Sequence, residues 1–369
     1  MLLIKNYINT IFIMLGQHCN LSCKYCMQHD LIEHVLPNKN INKQIIDFIK
    51  INSDNKKKPI DVRFYGGEPL LYFNDIVTLV NELKHLNVTF SIITNGKLLN
   101  QKMINFFNNK NNKFTSIAIS WDGPNSIKTR KYDVIKDKED LILKLNNLCI
   151  SGVCSAYNYH NDFIQSIIPL ATKYNKIHSN KILNFSIDEI ADNCATFTDL
   201  TNFDYDEVKN QMNKVVNNIL KSISSFSMPN KEVSIEDYLY YSLFVMYCKL
   251  IQYGQNNEHK SFCANGTNTI NLDLEGNLYQ CHNNWIKIAD INSIYDDYIN
   301  KAKNLDKISK LNYETICQSC EVQNLCRNGC PLISNNIKEK SNYCKLRQYV
   351  YKPILDLINS FINKQQKLY

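Results

Sequence analysis

Three cysteines crowd one short segment, "CNLSCKYC", at Cys19, Cys23 and Cys26. Their C-x3-C-x2-C spacing suits a metal, because thiolates are soft ligands for iron–sulfur clusters, zinc and copper(I). Structural zinc and ordinary ferredoxin clusters take four protein ligands, and this loop offers three. Three thiolates can each hold a corner iron of a cubane cluster, which leaves the fourth iron open to a small molecule. A second set lies near the other end. Cys263 is followed by twelve residues, Gly276, four residues and Cys281; then come Cys317, Cys320, Cys326 and Cys330, spaced C-x2-C-x5-C-x3-C, and lastly Cys344. Seven cysteines in this order are too many for one zinc and suit two sites. Cys149, Cys154 and Cys194 read as packing residues. Cys248, in an apolar helical run, reads as a buried free thiol or as a further ligand.

The surroundings favour metal over disulfides. Fourteen cysteines in 369 residues would suit a secreted chain only with an export signal. The start has a short apolar patch, Ile11 to Leu15, and no small-residue cleavage site after it. No run reaches the ~18 apolar residues of a membrane span. Tyr238 to Ile251 comes nearest and carries Lys249. Cytoplasm is the expected location, where clustered cysteines mean metal or redox chemistry. The +7 net charge is spread thinly, with Lys56 to Lys58 its tightest run, so neither nucleic acid nor membrane is an expected partner.

The elements that must position these thiols alternate. Strands are predicted at Thr10 to Gly16, Ile60 to Gly67, Val88 to Gly96, Phe114 to Gly123, Val153 to Tyr159 and Ile182 to Ile190. Helices are predicted at Asn42 to Ile51, Phe73 to Leu86 with Asn74 or Asp75 as cap, Asn100 to Asn109, Lys138 to Ile150 and Phe163 to Tyr174. Six strands separated by helices predict an α/β fold, an open or partial (β/α)6 TIM-like barrel with parallel strands. Chemistry in such folds sits at the carboxyl ends of the strands. "GQHCNLSCKYC", "YGGEP", "TNG" and "SWDGP" all fall there. After a polar stretch come two helical patterns, Tyr205 to Ser225 and Ile235 to Tyr253. A loop-rich, cysteine-dense region then ends in an amphipathic helix, Leu346 to Phe361. We divide the chain into a barrel (1–200), a helical linker (201–255) and a cysteine-rich domain with its terminal helix (256–369).

C-x3-C-x2-C with Tyr25 before the last cysteine, on a loop after the first strand, resembles the signature of the radical S-adenosylmethionine (SAM) superfamily. The resemblance implies that Cys19, Cys23 and Cys26 hold a 4Fe–4S cluster whose open iron binds the amino and carboxylate groups of SAM. One electron then splits SAM into methionine and a 5′-deoxyadenosyl radical, which abstracts hydrogen from a substrate. It also implies that Gly66, Gly67 and Glu68 face the SAM amino group. Thr94 and Asn95, with Ser120 and Asp122, would line the SAM site, Ser120 at the ribose. Relatives often carry an "HDxxR" arginine for the SAM carboxylate. Here Tyr132 occupies that position, so Arg130 is the candidate, with solvent exposure as its alternative.

The second cysteine set resembles the SPASM domain, an auxiliary-cluster module. By that resemblance Cys317, Cys320, Cys326 and Cys344 hold an outer 4Fe–4S cluster. Cys263, Cys281 and Cys330, with Cys248 as possible fourth ligand, hold an inner one, so three clusters and SAM are the expected cofactors. Enzymes of this type mostly modify ribosomally made peptides or proteins, and the resemblance implies that the inner auxiliary cluster takes the second electron. The expected function is therefore peptide or protein maturation, such as a crosslink or thioether. The alternative is anaerobic sulfatase maturation, which forms formylglycine. That group places an aspartate after the second SPASM cysteine, whereas here His282 follows Cys281. His282 is the candidate base, ahead of His18. A non-catalytic electron carrier or metal scaffold has no use for an open iron beside "YGGEP". Expected partners are a peptide or protein substrate and a reductant such as flavodoxin or ferredoxin. Only eighteen residues precede Cys19, so no leader-binding domain is expected before the barrel, and any leader would be recognised by a separate protein or by the barrel–SPASM surface.

Overall fold

The computed structural model describes residues 9–28, 41, 43–54, 57–190, 198–228, 232–256, 269–293, 295–302, 317–333 and 342–366. Cys194 and Cys263 lie outside them. Strands β1 (Thr10–Met14), β2 (Ile60–Tyr65), β3 (Val88–Thr94), β4 (Phe114–Ser120), β5 (Leu148–Cys154) and β6 (Asn184–Glu189) alternate with helices. These are α1 (Lys43–Ser53), α2 (Phe73–Leu83), α3 (Gln101–Asn108), α4 (Ser126–Arg130), α5 (Val134–Ile142) and α6 (His160–Ile177). All neighbouring strands from β1 to β6 pair in parallel, in chain order. This is the expected (β/α)6 sheet of a partial barrel.

Each strand is written for two faces. In β5 the buried residues Leu148, Ile150, Gly152 and Cys154 alternate with the less buried Cys149, Ser151 and Val153. The buried face packs on helices; a Cβ on Gly152 would lie 2.3 Å from the Phe163 ring of α6. The other face turns to the barrel interior and is polar on several strands. It carries Asp61, Arg63 and Tyr65 on β2, Ser120 on β4, Ser151 on β5 and Asn184, Ser186 and Asp188 on β6.

Three expectations are corrected. The fifth strand, expected over Val153 to Tyr159, runs over Leu148–Cys154. The helix expected over Lys138 to Ile150 ends at Ile142, and Leu148 to Ile150 belong to β5. Asn146 and Asn147 make the turn between them: the Asn147 side-chain amide donates to the Phe114 carbonyl at 2.6 Å, and the Asn147 carbonyl accepts from Ile117. Neither Asn74 nor Asp75 caps α2. A 3-10 turn, Pro69–Tyr72, leads into it, and that turn is capped by the Glu68 side chain.

Beyond the barrel come α7 (Thr198–Thr201), α8 (Tyr205–Ser227) and α9 (Ile235–Asn256). Then β7 (Thr269–Asp273) joins the β1 edge in parallel, and β8 (Asn277–Tyr279) and β9 (Lys287–Asp290) follow antiparallel. One nine-stranded sheet results, in the order β6-β5-β4-β3-β2-β1-β7-β8-β9. Gly276, at φ +90°, makes the β7–β8 turn that a side chain would strain. The terminal helix Tyr343–Gln366 packs on α8. Among the described residues no helix is long and apolar enough to cross a membrane.

Candidate active site

The three-cysteine loop leaves the end of β1 and is braced by its neighbours. The Gly67 amide donates to the Gly16 carbonyl, and the Glu68 amide to the His18 carbonyl, both at 2.9 Å. A Cβ on Gly67 would lie 2.4 Å from the His18 carbonyl oxygen, so glycine is what lets the two backbones meet. Glu68 is buried and accepts from three donors: the Leu70 amide at 2.9 Å, the Thr94 hydroxyl at 2.5 Å and the Asn95 amide at 2.8 Å. Its carboxylate thus ties the ends of β2 and β3 together. Burial pushes it up, opposed by those same bonds. The Asn95 side-chain amide reaches the loop itself, donating to Asn20 at 2.8 Å with Cys19 Sγ 4.0 Å away.

A second bracket comes from β4. Asp122 is fully buried and pairs with Arg130 at 2.9 Å. It also accepts from the Tyr25 hydroxyl at 2.8 Å, the Thr129 hydroxyl at 2.7 Å and the Val153 amide at 3.0 Å. Arg130 faces inward, over the Tyr25 ring at 5.3 Å, and its buried Nε has no partner. Solvent exposure for Arg130 is thereby excluded. Tyr132 lies elsewhere, half-buried, bonded to Asp137 and beneath Lys97. Ser120 stands partly exposed on the interior face of β4.

Cys19, Cys23 and Cys26 are free thiols. Burial pushes Cys19 up to about 11 and Cys23 up to about 12, with Arg130 opposing the rise at Cys23. Metal binding would have to displace those protons. Among the described residues no three His, Cys, Asp or Glu side chains form a group for a single metal ion. In a cubane each thiolate binds its own corner iron, so such a group is not required there. The donor set fits: three soft ligands on one braced loop, with the unpaired Arg130 guanidinium nitrogen behind them.

The segment at Cys281 approaches this loop. The Gln28 side-chain amide donates to the His282 carbonyl at 2.8 Å. His282 stacks on Phe12 of β1 at 4.4 Å and meets the Tyr65 ring edge-on at 4.8 Å. Burial, then Arg63, lower His282 to about 4, so its ring is neutral at pH 7, and its buried Nδ1 has no partner. The Tyr65 hydroxyl donates to Asn283 at 3.0 Å and feels the charge of both Cys26 and Cys281. Cys281 is buried beneath this contact. Cys330 has its backbone amide bonded to the Tyr343 hydroxyl at 2.7 Å. The Cys248 thiol, on α9, is raised by burial alone. Cys317, Cys320, Cys326 and Cys344 line one cavity together. Cys154 is buried in the barrel core, while Cys149 lies half-buried on the interior face. A separate cavity of about 610 Å³ lies between Asn184 and α9, lined by Tyr241, Val245, Met246 and Lys249.

Residues 13–161 match the family model of the Radical SAM superfamily. This part of the chain is a radical SAM domain. It holds every residue of the two brackets just described. Over 199 residues the chain is 30% identical to the radical SAM cyclopropyl synthase TigE of Paramaledivibacter caminithermalis, which covers 46% of this chain and 40% of TigE. It thus spans less than half of that relative. It is 24% identical to a cysteine-type anaerobic sulfatase-maturating enzyme of Clostridium novyi over 85% of each chain. Among solved structures, anSMEcpe with bound AdoMet superposes with a TM-score of 0.63 at 18% identity, covering 95% of this chain and 98% of that one. Streptococcus suis SuiB bound to S-adenosylmethionine gives 0.58 at 19% identity, over 92% and 76%. At such identities the two structures speak for the fold, from the radical SAM domain through the cysteine-rich end.

Tyr65, Asp188 and Arg347 carry little signal in the sequence. Tyr65 was legible only as part of "YGGEP". Asp188 stands on the interior face of β6, where desolvation and Glu189 push its carboxyl up to about 6 although it remains accessible. The alternation of Asn184, Ser186 and Asp188 was its signal. Arg347 was signalled only by its spacing of one helical turn from Cys344.

Proposed function

We propose that the chain is a radical SAM maturase acting on a ribosomally made peptide or protein. The observation that carries this reading is the contact of the Cys281–Asn283 segment with Gln28, just past the three-cysteine loop, and with Phe12 of β1 and Tyr65 of β2. It brings a proposed auxiliary-cluster ligand to the place where a substrate radical would form. Bound at Cys19, Cys23 and Cys26, a 4Fe–4S cluster with SAM supplies a hydrogen-abstracting radical. The chain's own residues hold the loop through Gly67 and Glu68, orient Tyr25 and Arg130 through Asp122, and present a polar barrel interior to the substrate. Arg130 is the residue for the SAM carboxylate, and Ser120, Thr94 and Asn95 line the SAM site. His282 is the candidate proton acceptor.

Two auxiliary 4Fe–4S clusters complete the reading: an outer one at Cys317, Cys320, Cys326 and Cys344, and an inner one at Cys263, Cys281 and Cys330, with Cys248 a candidate fourth ligand. A flavodoxin or ferredoxin would supply electrons, a separate protein would bind any leader, and the cytoplasm is the compartment. The extent of the match to the Clostridium novyi enzyme, 85% of each chain, favours sulfatase maturation as a second reading. SuiB has been solved with its precursor peptide SuiA, and anSMEcpe with the peptide Kp18Cys, so either kind of substrate suits this fold.

The test is SAM cleavage by anaerobically reconstituted, dithionite-reduced protein. Methionine and 5′-deoxyadenosine are expected, and both should vanish when Cys19, Cys23 and Cys26 become alanine. A chain that binds about twelve irons, four per cluster, yet forms no 5′-deoxyadenosine would sink the proposal. A sulfatase-derived cysteine peptide, tried beside a small precursor peptide, separates the two substrate readings by mass change.

A further inference from the structure

The cavity of Cys317, Cys320, Cys326 and Cys344 has another wall. Arg347 and Gln348, from the terminal helix, line it as well. They stand one turn beyond Cys344, on the same helix face. Arg347 is 5% exposed. Its Nε and Nη1 are buried without any hydrogen-bond partner. Its Nη2 lies 3.9 Å from Glu189, and its guanidinium sits 3.7 Å over the Tyr343 ring. A buried guanidinium has five N–H donors to satisfy and cannot give up its charge in a protein, so two unpartnered nitrogens, carrying three of those donors, mark a site built for an anion.

Its other side is anchored. Glu189 ends β6 and pairs with His160 of α6 at 3.1 Å, while the Tyr351 hydroxyl donates to it at 2.5 Å. Burial alone would raise Glu189, but His160, Arg347 and Tyr351 outweigh that and hold it ionised. Arg347 is therefore fixed between a barrel carboxylate and the four thiols.

We propose that Arg347 is the fixed counter-charge of the outer auxiliary cluster, a positioning residue that keeps its reduction potential high enough to accept an electron. The proposal rests on reading the four cysteines as cluster ligands. A cubane held by four thiolates is negatively charged, and one-electron reduction adds one further negative charge. A buried cation a few ångströms away stabilises the reduced form more than the oxidised form, in a medium where charges are weakly screened. Glu189 works in the opposite sense.

The experiment is a redox titration, followed by electron paramagnetic resonance, of the reconstituted full chain with Cys19, Cys23 and Cys26 replaced by alanine to remove the first cluster's signal. Dithionite supplies the electron. R347Q should keep the iron content and lower the reduced-to-oxidised ratio of the outer cluster about tenfold at fixed poise, a shift of about 59 mV for one electron. R347K should shift less, and E189Q should shift the potential upward. A merely structural role would not move the two variants in opposite directions. Unchanged potentials with iron retained, or R347Q and E189Q shifting alike, overturn the proposal. Should R347Q lose its iron, R347K and E189Q decide by the same criterion. Should replacing Cys317, Cys320, Cys326 and Cys344 by alanine remove no iron, the cluster reading itself fails and takes the proposal with it.

Discussion

At the residue scale, the site is a set of buried charges whose partners decide their state. Glu68 faces donors only. Glu68→Gln turns one oxygen into a donor and leaves it opposing the Thr94 hydroxyl or a backbone amide. We expect a loss of about 1–3 kcal/mol in unfolding free energy, read by denaturant titration against wild type. His160 and Glu189 set a pH dependence. Burial disfavours the His160 charge, but Cys154 and Glu189 outweigh it and raise the ring to about 10. A raised histidine contributes stability that is complete below its unfolded value near 6.5 and is lost as pH rises through about 10. Thermal unfolding across that window should show a falling midpoint in wild type, and a flat one in H160Q would support the assignment. Asp188 has the opposite sign. Its carboxyl binds a proton more tightly folded than unfolded, so its destabilising effect grows as pH rises from 3.8 to about 6 and is complete above that. Asp188→Asn should raise the melting point at pH 8 and leave it unchanged at pH 4.

At the element scale, the strand ends hold the cluster loop by backbone contact. Gly67→Ala puts a Cβ 2.4 Å from the His18 carbonyl oxygen, and the backbone there cannot rotate away as a flexible side chain could. We expect this variant to lose iron from the first loop selectively, by about four atoms per chain, while the other sites keep theirs. Equal iron in variant and wild type would show that the loop tolerates displacement. The misread helix belongs to this scale as well. Leu141 to Ile150 carries apolar residues at spacings that suit a helix, yet pairing with β4 and β6 makes its end a strand. Nonlocal strand pairing won over local periodicity there. The 3-10 turn that displaced the α2 cap follows from Pro69 and the Glu68 side chain, both visible in the sequence as "GEPL".

At the scale of the whole molecule, the cysteine-rich end is not hung from the barrel by a linker alone. β7 pairs with β1 along its length, Thr10 to Thr269 through Met14 to Asp273. A chain cut after residue 255 would expose that β1 edge, with Ile11 and Ile13, as an unpaired strand. We expect such a fragment to self-associate, which size-exclusion chromatography would show as species larger than a monomer. A monodisperse monomer would mean that the barrel edge is protected in some other way.

The sequence by itself determined the ligand types, their spacing and the alternation that makes a parallel sheet. These are local properties: thiol chemistry, a period of two or of 3.6, and glycines where backbones meet. From them alone came the three-cysteine loop, the strand ends that brace it and five of the six barrel strands; the fifth, read over Val153 to Tyr159, lies at Leu148–Cys154. Only the tertiary structure decided which edge β7 would take, since that pairing joins residues more than 200 positions apart. It also decided that Arg130 points inward to Asp122, that His282 is wedged between Phe12 and Tyr65, and that Arg347 stands between Glu189 and four cysteines. A side chain's charge state and reach depend on what surrounds it. For these residues the surroundings come from distant parts of the chain, which no local pattern records.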